Sequence, residues 1–217
     1  MYFIRSYKWL APSLFFSVLL VAGRVIYTGN LTFLFMVWNM FLGIVPLYMA
    51  WRLEYAETKL RGWIFAITWL LFFPNAMYIV TDLFHLKSRG DIPLWYDLLL
   101  ILSCALNGII MGFCSLYRIE RWLNGYLGKI SLQVAIFFLL LLCGYGVYLG
   151  RYERWNSWDV LVDPASLCLD IVNDVIHPFR NINIWTLSFV FAIWMYLLYR
   201  YFPRNGTGKL YGAADEE

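Results

Sequence analysis

Six stretches of about twenty predominantly apolar residues divide this sequence, and they constrain the fold more than any motif does. They run from Trp9 to Tyr27, Leu31 to Trp51, Gly62 to Val80, Leu94 to Leu116, Leu132 to Leu149 and Ile182 to Phe202. A helix of about 20 residues crosses roughly 30 Å of hydrocarbon. In that medium each segment must satisfy its own backbone N–H and C=O groups, which a helix does and a lone strand does not. The chain is 62% hydrophobic and 14% charged, whereas soluble domains are about a quarter charged. Lipid must therefore cover much of the surface. The expectation is an all-α integral membrane bundle of about six transmembrane helices. It forms a single domain over residues 1–204, with a flexible cytoplasmic tail over 205–217.

Orientation follows from the loops. Eleven of the 17 Lys and Arg residues flank one end of the spans, among them Arg5, Lys59, Arg61, Arg118, Arg121, Arg204 and Lys209. The other end has six: Arg24, Lys87, Arg89, Arg151, Arg154 and Arg180. The richer side is expected to be cytoplasmic, with both termini on it, in the cell (plasma or inner) membrane. A net charge of +3 is too small to suggest nucleic acid as a partner. Cys104, Cys114, Cys143 and Cys168 form no CxxC pair and read as buried small hydrophobes. Gly108 and Gly112, and likewise Gly146 and Gly150, allow close helix approach within the bundle or in a homo-oligomer.

The unusual polar residues gather at the poorer end. Pro74 removes a backbone donor and is expected to kink the third span. Beyond it Asn75, Tyr78, Asp82 and His85 recur at spacings of three and four, so they share one helical face. Lipid would not solvate that stripe, which should face other helices or a wet cavity. The fifth span ends in a second stripe (Tyr145, Tyr148, Tyr152, Trp155) with Arg151 and Arg154 on an adjacent face. Two arginines can hold a carboxylate or phosphate in bidentate fashion, or pair with Asp82, Asp97 or Asp159. Asp163-Pro164 reads as a cap followed by a first helical turn. The segment after it predicts a short amphipathic extracytoplasmic helix, with Leu167, Ile171, Val172, Val175 and Ile176 opposite Asp170, Asn173, Asp174 and His177. Asn39 and Asn107 read as interhelical hydrogen-bonding residues.

Particular strings also carry a resemblance. They are Asn39 with Gly43-Ile44-Val45-Pro46-Leu47, then Phe73 through Leu86, Pro93 through Asp97, and Tyr148 through Asp159. PNAxYxxTD and RWNSWD are the most specific of them. Over about the middle three-quarters of the chain the sequence resembles a family of uncharacterised prokaryotic multi-pass membrane proteins, domain of unknown function 1361. The resemblance implies a membrane protein and assigns no activity.

Three functional readings follow from the residues. In the first, Asp82 and His85 share a divalent metal such as zinc, with Asp174 and His177 completing the ligands, and the protein is a membrane-embedded hydrolase or transferase acting at the lipid interface. In the second, Asn75, Tyr78, Asp97, Arg151, Arg154, Asn156 and Asp159 bind a small anionic or polar ligand, or a lipid, in a transporter or binding protein. In the third, Asp82, Asp97, Arg151, Arg154 and Asp159 form a salt-bridge network that only holds helix ends together. All three require the ends of the third and fifth spans to meet.

Overall fold

A computed structural model describes residues 2–87 and 92–202, without the side chain of Tyr2. Among these residues the chain is all-helical, and six helices are long and apolar enough to cross a membrane. The elements are α1 (Tyr2–Tyr7), α2 (Ala11–Thr28), α3 (Leu34–Glu54), α4 (Lys59–Tyr78), α5 (Leu94–Leu123), α6 (Lys129–Tyr148), α7 (Asp159–Val162), α8 (Pro164–Ile176) and α9 (Ile182–Tyr201). A 3₁₀ turn joins α1 to α2, so together they make the first span. The expected tail 205–217, with Arg204, and Arg89 in the α4–α5 connection lie outside the described residues.

The bundle is built around α5. Its most apolar 18-residue window is 61% buried, against 22–39% for the other spans. One core joins α5 to α4, α6 and α9 through Trp69, Phe73, Leu116, Leu140, Met195 and Tyr199. A second joins it to α2 and α3 through Val21, Phe33, Met36, Leu100 and Ile101. Phe3 and Phe202 pack against the same small cluster, so the first and last described spans end on one side. Large apolar residues such as Phe15, Phe16, Trp63, Phe138 and Val190 point outward, as lipid contact requires.

The glycine pairs serve contacts within the chain. A Cβ on Gly108 would stand 2.4 Å from the Ala76 carbonyl oxygen, and one on Gly112 would stand 2.5 Å from the Met77 Cε. A Cβ on Gly146 would stand 2.6 Å from the Pro74 Cγ. Missing side chains at these positions let α5 and α6 approach α4 on both sides of Pro74. The faces proposed for a second copy are thus occupied by α4.

Polar groups inside the bundle are paired across helices. Arg24 of α2 donates to Asp97 of α5 through Nε (2.7 Å) and Nη2 (3.1 Å), and the two side chains are 3% and 4% exposed. Asn107 Nδ2 donates to Ser17 Oγ (2.9 Å), and Trp69 Nε1 donates to Ser115 Oγ (3.0 Å). In hydrocarbon such bonds replace the water the groups lack.

Candidate functional site

Helix α4 runs through Pro74 and then tightens into a 3₁₀ helix over Ile79–His85. Three residues per turn place Asp82 and His85 almost directly above one another. Helix α6 widens in the opposite sense into a π turn over Leu149–Glu153. It ends at Arg154, whose φ of 63° lies in the left-handed region. Two departures from α geometry at the same end of neighbouring helices re-aim the side chains that follow.

The result is a contact between the two helix ends. Arg151 Nη2 lies 3.4 Å from Asp82 Oδ1 and also donates to the Thr81 carbonyl. Arg151 Nη1 donates to Tyr78 Oη (3.2 Å) and stands 3.2 Å from His85 Nε2. Asn39 Nδ2, from α3, donates to Asp82 Oδ2 (3.0 Å). Asp82 is 1% exposed, so its charge depends on this pairing. Two buried atoms here, Asp82 Oδ1 and Arg151 Nε, have no hydrogen-bond partner.

These residues form the polar end of a cavity of about 660 Å³. Asn75, Tyr78, Asp82 and His85 all line it, as do Arg151 and Asn156. Its walls also include the apolar Leu42 of α3, Leu70 and Leu71 of α4, and Leu142 of α6. Leu71 and Asp82 are about 17 Å apart along the helix axis. Trp69, Phe73 and Leu140 of the same two helices are buried in the core with α5 and α9.

The segment 155–160 folds back over the cavity. Ser157 Oγ donates to the Leu71 carbonyl (2.8 Å) and accepts from Asn75 Nδ2 (2.8 Å). Asp159 Oδ2 accepts from the Asn156 backbone N–H (2.6 Å) and from Asn156 Nδ2 (3.1 Å). Asp163 caps α8 by accepting from the Ser166 N–H (3.2 Å). Leu167 and Ile171 of α8 complete the wall.

Several expected site residues are placed elsewhere. Asp97 is held by Arg24, so it is neither a cavity residue nor part of a shared network with Arg151. Arg154 is exposed, because the π turn and left-handed residue rotate it away from Arg151; the two do not form a clamp. Asp159 caps its own turn behind the lining. The four-residue metal set is not assembled. Asp174 accepts from Tyr145 Oη (2.8 Å) and Asn181 Nδ2 (3.0 Å), while His177 is exposed. Among the described residues no three His, Cys, Asp or Glu side chains converge on a metal position. A guanidinium, itself cationic, occupies the space beside both Asp82 and His85. The donor set therefore does not fit a divalent cation.

Helix α8 presents residues of both its faces to the protein. Asp174 is buried, Trp155 Nε1 donates to the exposed Asp170 (2.9 Å), and Leu167 and Ile171 line the cavity. Leu169, Val172, Val175 and Ile176 face outward, continuous with Leu161, Val162 and Phe179. Sequence reasoning missed Ser157, whose bonds to α4 span more than eighty residues and leave no local signal. It also missed Arg24, which reads from sequence as one more loop-side cation.

Residues 38–198 match the family model described as a protein of unknown function, DUF1361. No curated protein and no solved structure matches the chain. The matched region includes all of α4 through α8 and every cavity-lining residue named above. The chain therefore belongs to the DUF1361 family of multi-pass membrane proteins.

Proposed function

We propose that the protein holds a membrane amphiphile in the cavity, its polar end against Asp82 and Arg151 and its apolar body along α3, α4 and α6. One observation carries this reading: a cavity of about 660 Å³ whose lining sets the charged pair Asp82 and Arg151 beside an apolar wall of Leu42, Leu70, Leu71 and Leu142. That volume falls within the usual range for small-molecule sites, about 300–1,000 Å³. Two of its lining residues, Trp38 (52% exposed) and Leu71 (37%), also stand on the outer flank of the bundle. In a bilayer that flank meets acyl chains, so entry from the membrane needs no passage through water. The excess of Lys and Arg at the opposite helix ends supports cytoplasmic termini, which puts the site in the extracytoplasmic leaflet of the cell membrane.

The test is photo-crosslinking in nanodiscs with a lipid bearing a diazirine in its acyl chain. Adducts concentrated on peptides containing Trp38, Leu71 and Leu142, and reduced by Leu142→Trp, are expected. Labelling spread evenly over outward residues such as Phe15, Val134 and Ile193, unchanged by Leu142→Trp, would overturn the reading.

A further inference from the structure

We infer that the amphiphile's polar end is uncharged and hydroxylated; this rests on the reading of the cavity as an amphiphile site. The donors of Arg151 are largely committed. Its Nη1 serves Tyr78 and faces His85, and its Nη2 serves the Thr81 carbonyl beside Asp82. The fork that would grip a phosphate or carboxylate bidentately is thus turned toward the protein. Arg151 Nε has no hydrogen-bond partner, and Asp82 Oδ1 has none beyond its 3.4 Å ion pair with Arg151 Nη2. One orphan donor and one orphan acceptor match a group that accepts one hydrogen bond and donates another. A hydroxyl does both; a phosphate at neutral pH and a quaternary amine do not.

Charge points the same way. Asp82 and Arg151 line the cavity with opposite signs and offset each other. Three further carboxylates are bonded to residues that line the cavity: Asp159 to Asn156, Asp170 to Trp155 and Asp174 to Tyr145. None of the three is in an ion pair among the described residues. An anionic head would meet these carboxylates, and a cationic head would meet the Arg151 guanidinium. A neutral hydroxylated head meets neither penalty.

Competition among three lipids with identical acyl chains tests this in the full-length protein. The probes are a diacylglycerol (neutral hydroxyl), the matching phosphatidic acid (anionic) and the matching trimethylammonium lipid (cationic), read by native mass spectrometry from nanodiscs. Diacylglycerol is expected to be retained at least about tenfold over the other two, the discrimination that a mispaired buried polar group produces. Asp82→Asn leaves Arg151 unbalanced and should move the preference toward phosphatidic acid by about the same factor. If either charged lipid wins on the unsubstituted protein, the headgroup inference falls while the cavity reading stands. If no lipid is retained above bulk abundance, the cavity reading itself falls. The wild-type competition decides both, whether or not Asp82→Asn folds.

Discussion

Breaking the contact between α4 and α6 on one side only should cost far more than removing it entirely. Arg151→Met keeps an unbranched apolar stem and deletes the guanidinium with its charge. It leaves the Asp82 carboxylate, 1% exposed, with Asn39 as its one hydrogen-bond partner among the described residues. Removing one member of a buried pair costs roughly 3–5 kcal/mol, most of it from the stranded charge. The lost bonds to Tyr78 and to the Thr81 carbonyl contribute about 1 kcal/mol each within that range. For a chain of this size about 2–4 °C of melting temperature accompanies each kcal/mol, so a fall of roughly 6–20 °C is expected. The double variant Asp82→Leu/Arg151→Met strands nothing and should recover most of the loss. Intrinsic tryptophan fluorescence during heating in a mild detergent measures all three proteins. A double variant that melts no higher than Arg151→Met, or Arg151→Met melting within 2 °C of the parent, would refute the pairing.

The same logic applies to the second buried pair: Asp97→Leu alone should destabilise by about 3–5 kcal/mol and Arg24→Met/Asp97→Leu by far less, checked in the same melts. Gly108→Ala puts a methyl 2.4 Å from the Ala76 carbonyl oxygen and should cost about 1–3 kcal/mol; Gly128→Ala, with nothing within 4 Å, should fall within about 0.5 kcal/mol. Nitroxides placed at Val162, Val175 and Phe179 should relax faster with oxygen than with a water-soluble nickel chelate, because these outward apolar residues sit in the membrane interface; the reverse order would return α8 to water. Ser157→Ala removes two hydrogen bonds to α4 and should loosen the 155–160 segment, seen as faster amide exchange there with exchange in α5 unchanged.

The spans were legible because hydrocarbon imposes a length and a composition that hydropathy reads directly. The stripe Asn75, Tyr78, Asp82, His85 was legible for a related reason: spacings of three and four survive a change from α to 3₁₀ geometry. Arg151 could be named as a neighbour, since both stripes ran to the same membrane end. What stayed hidden depended on rotation and on distant partners. The π turn over Leu149–Glu153 adds a residue to one turn, and no residue type in that stretch announces it; it separates Arg154 from Arg151. Asp97 finds Arg24 across 73 positions of sequence, a choice set by how α2 leans on α5. The facing of α8 stayed hidden as well: Asp174 is drawn in by neutral donors on α6 and in the α8–α9 turn, and periodicity alone cannot say which face of an amphipathic helix meets lipid.

A cryo-electron microscopy map of the protein in nanodiscs of native lipid tests the central claim most directly. The account predicts elongated non-protein density starting at Asp82 and Arg151 and running about 17 Å toward Leu71 and Leu142. A map in which side chains fill that space, or in which the ends of α4 and α6 stand apart with Arg151 turned to solvent, would contradict it.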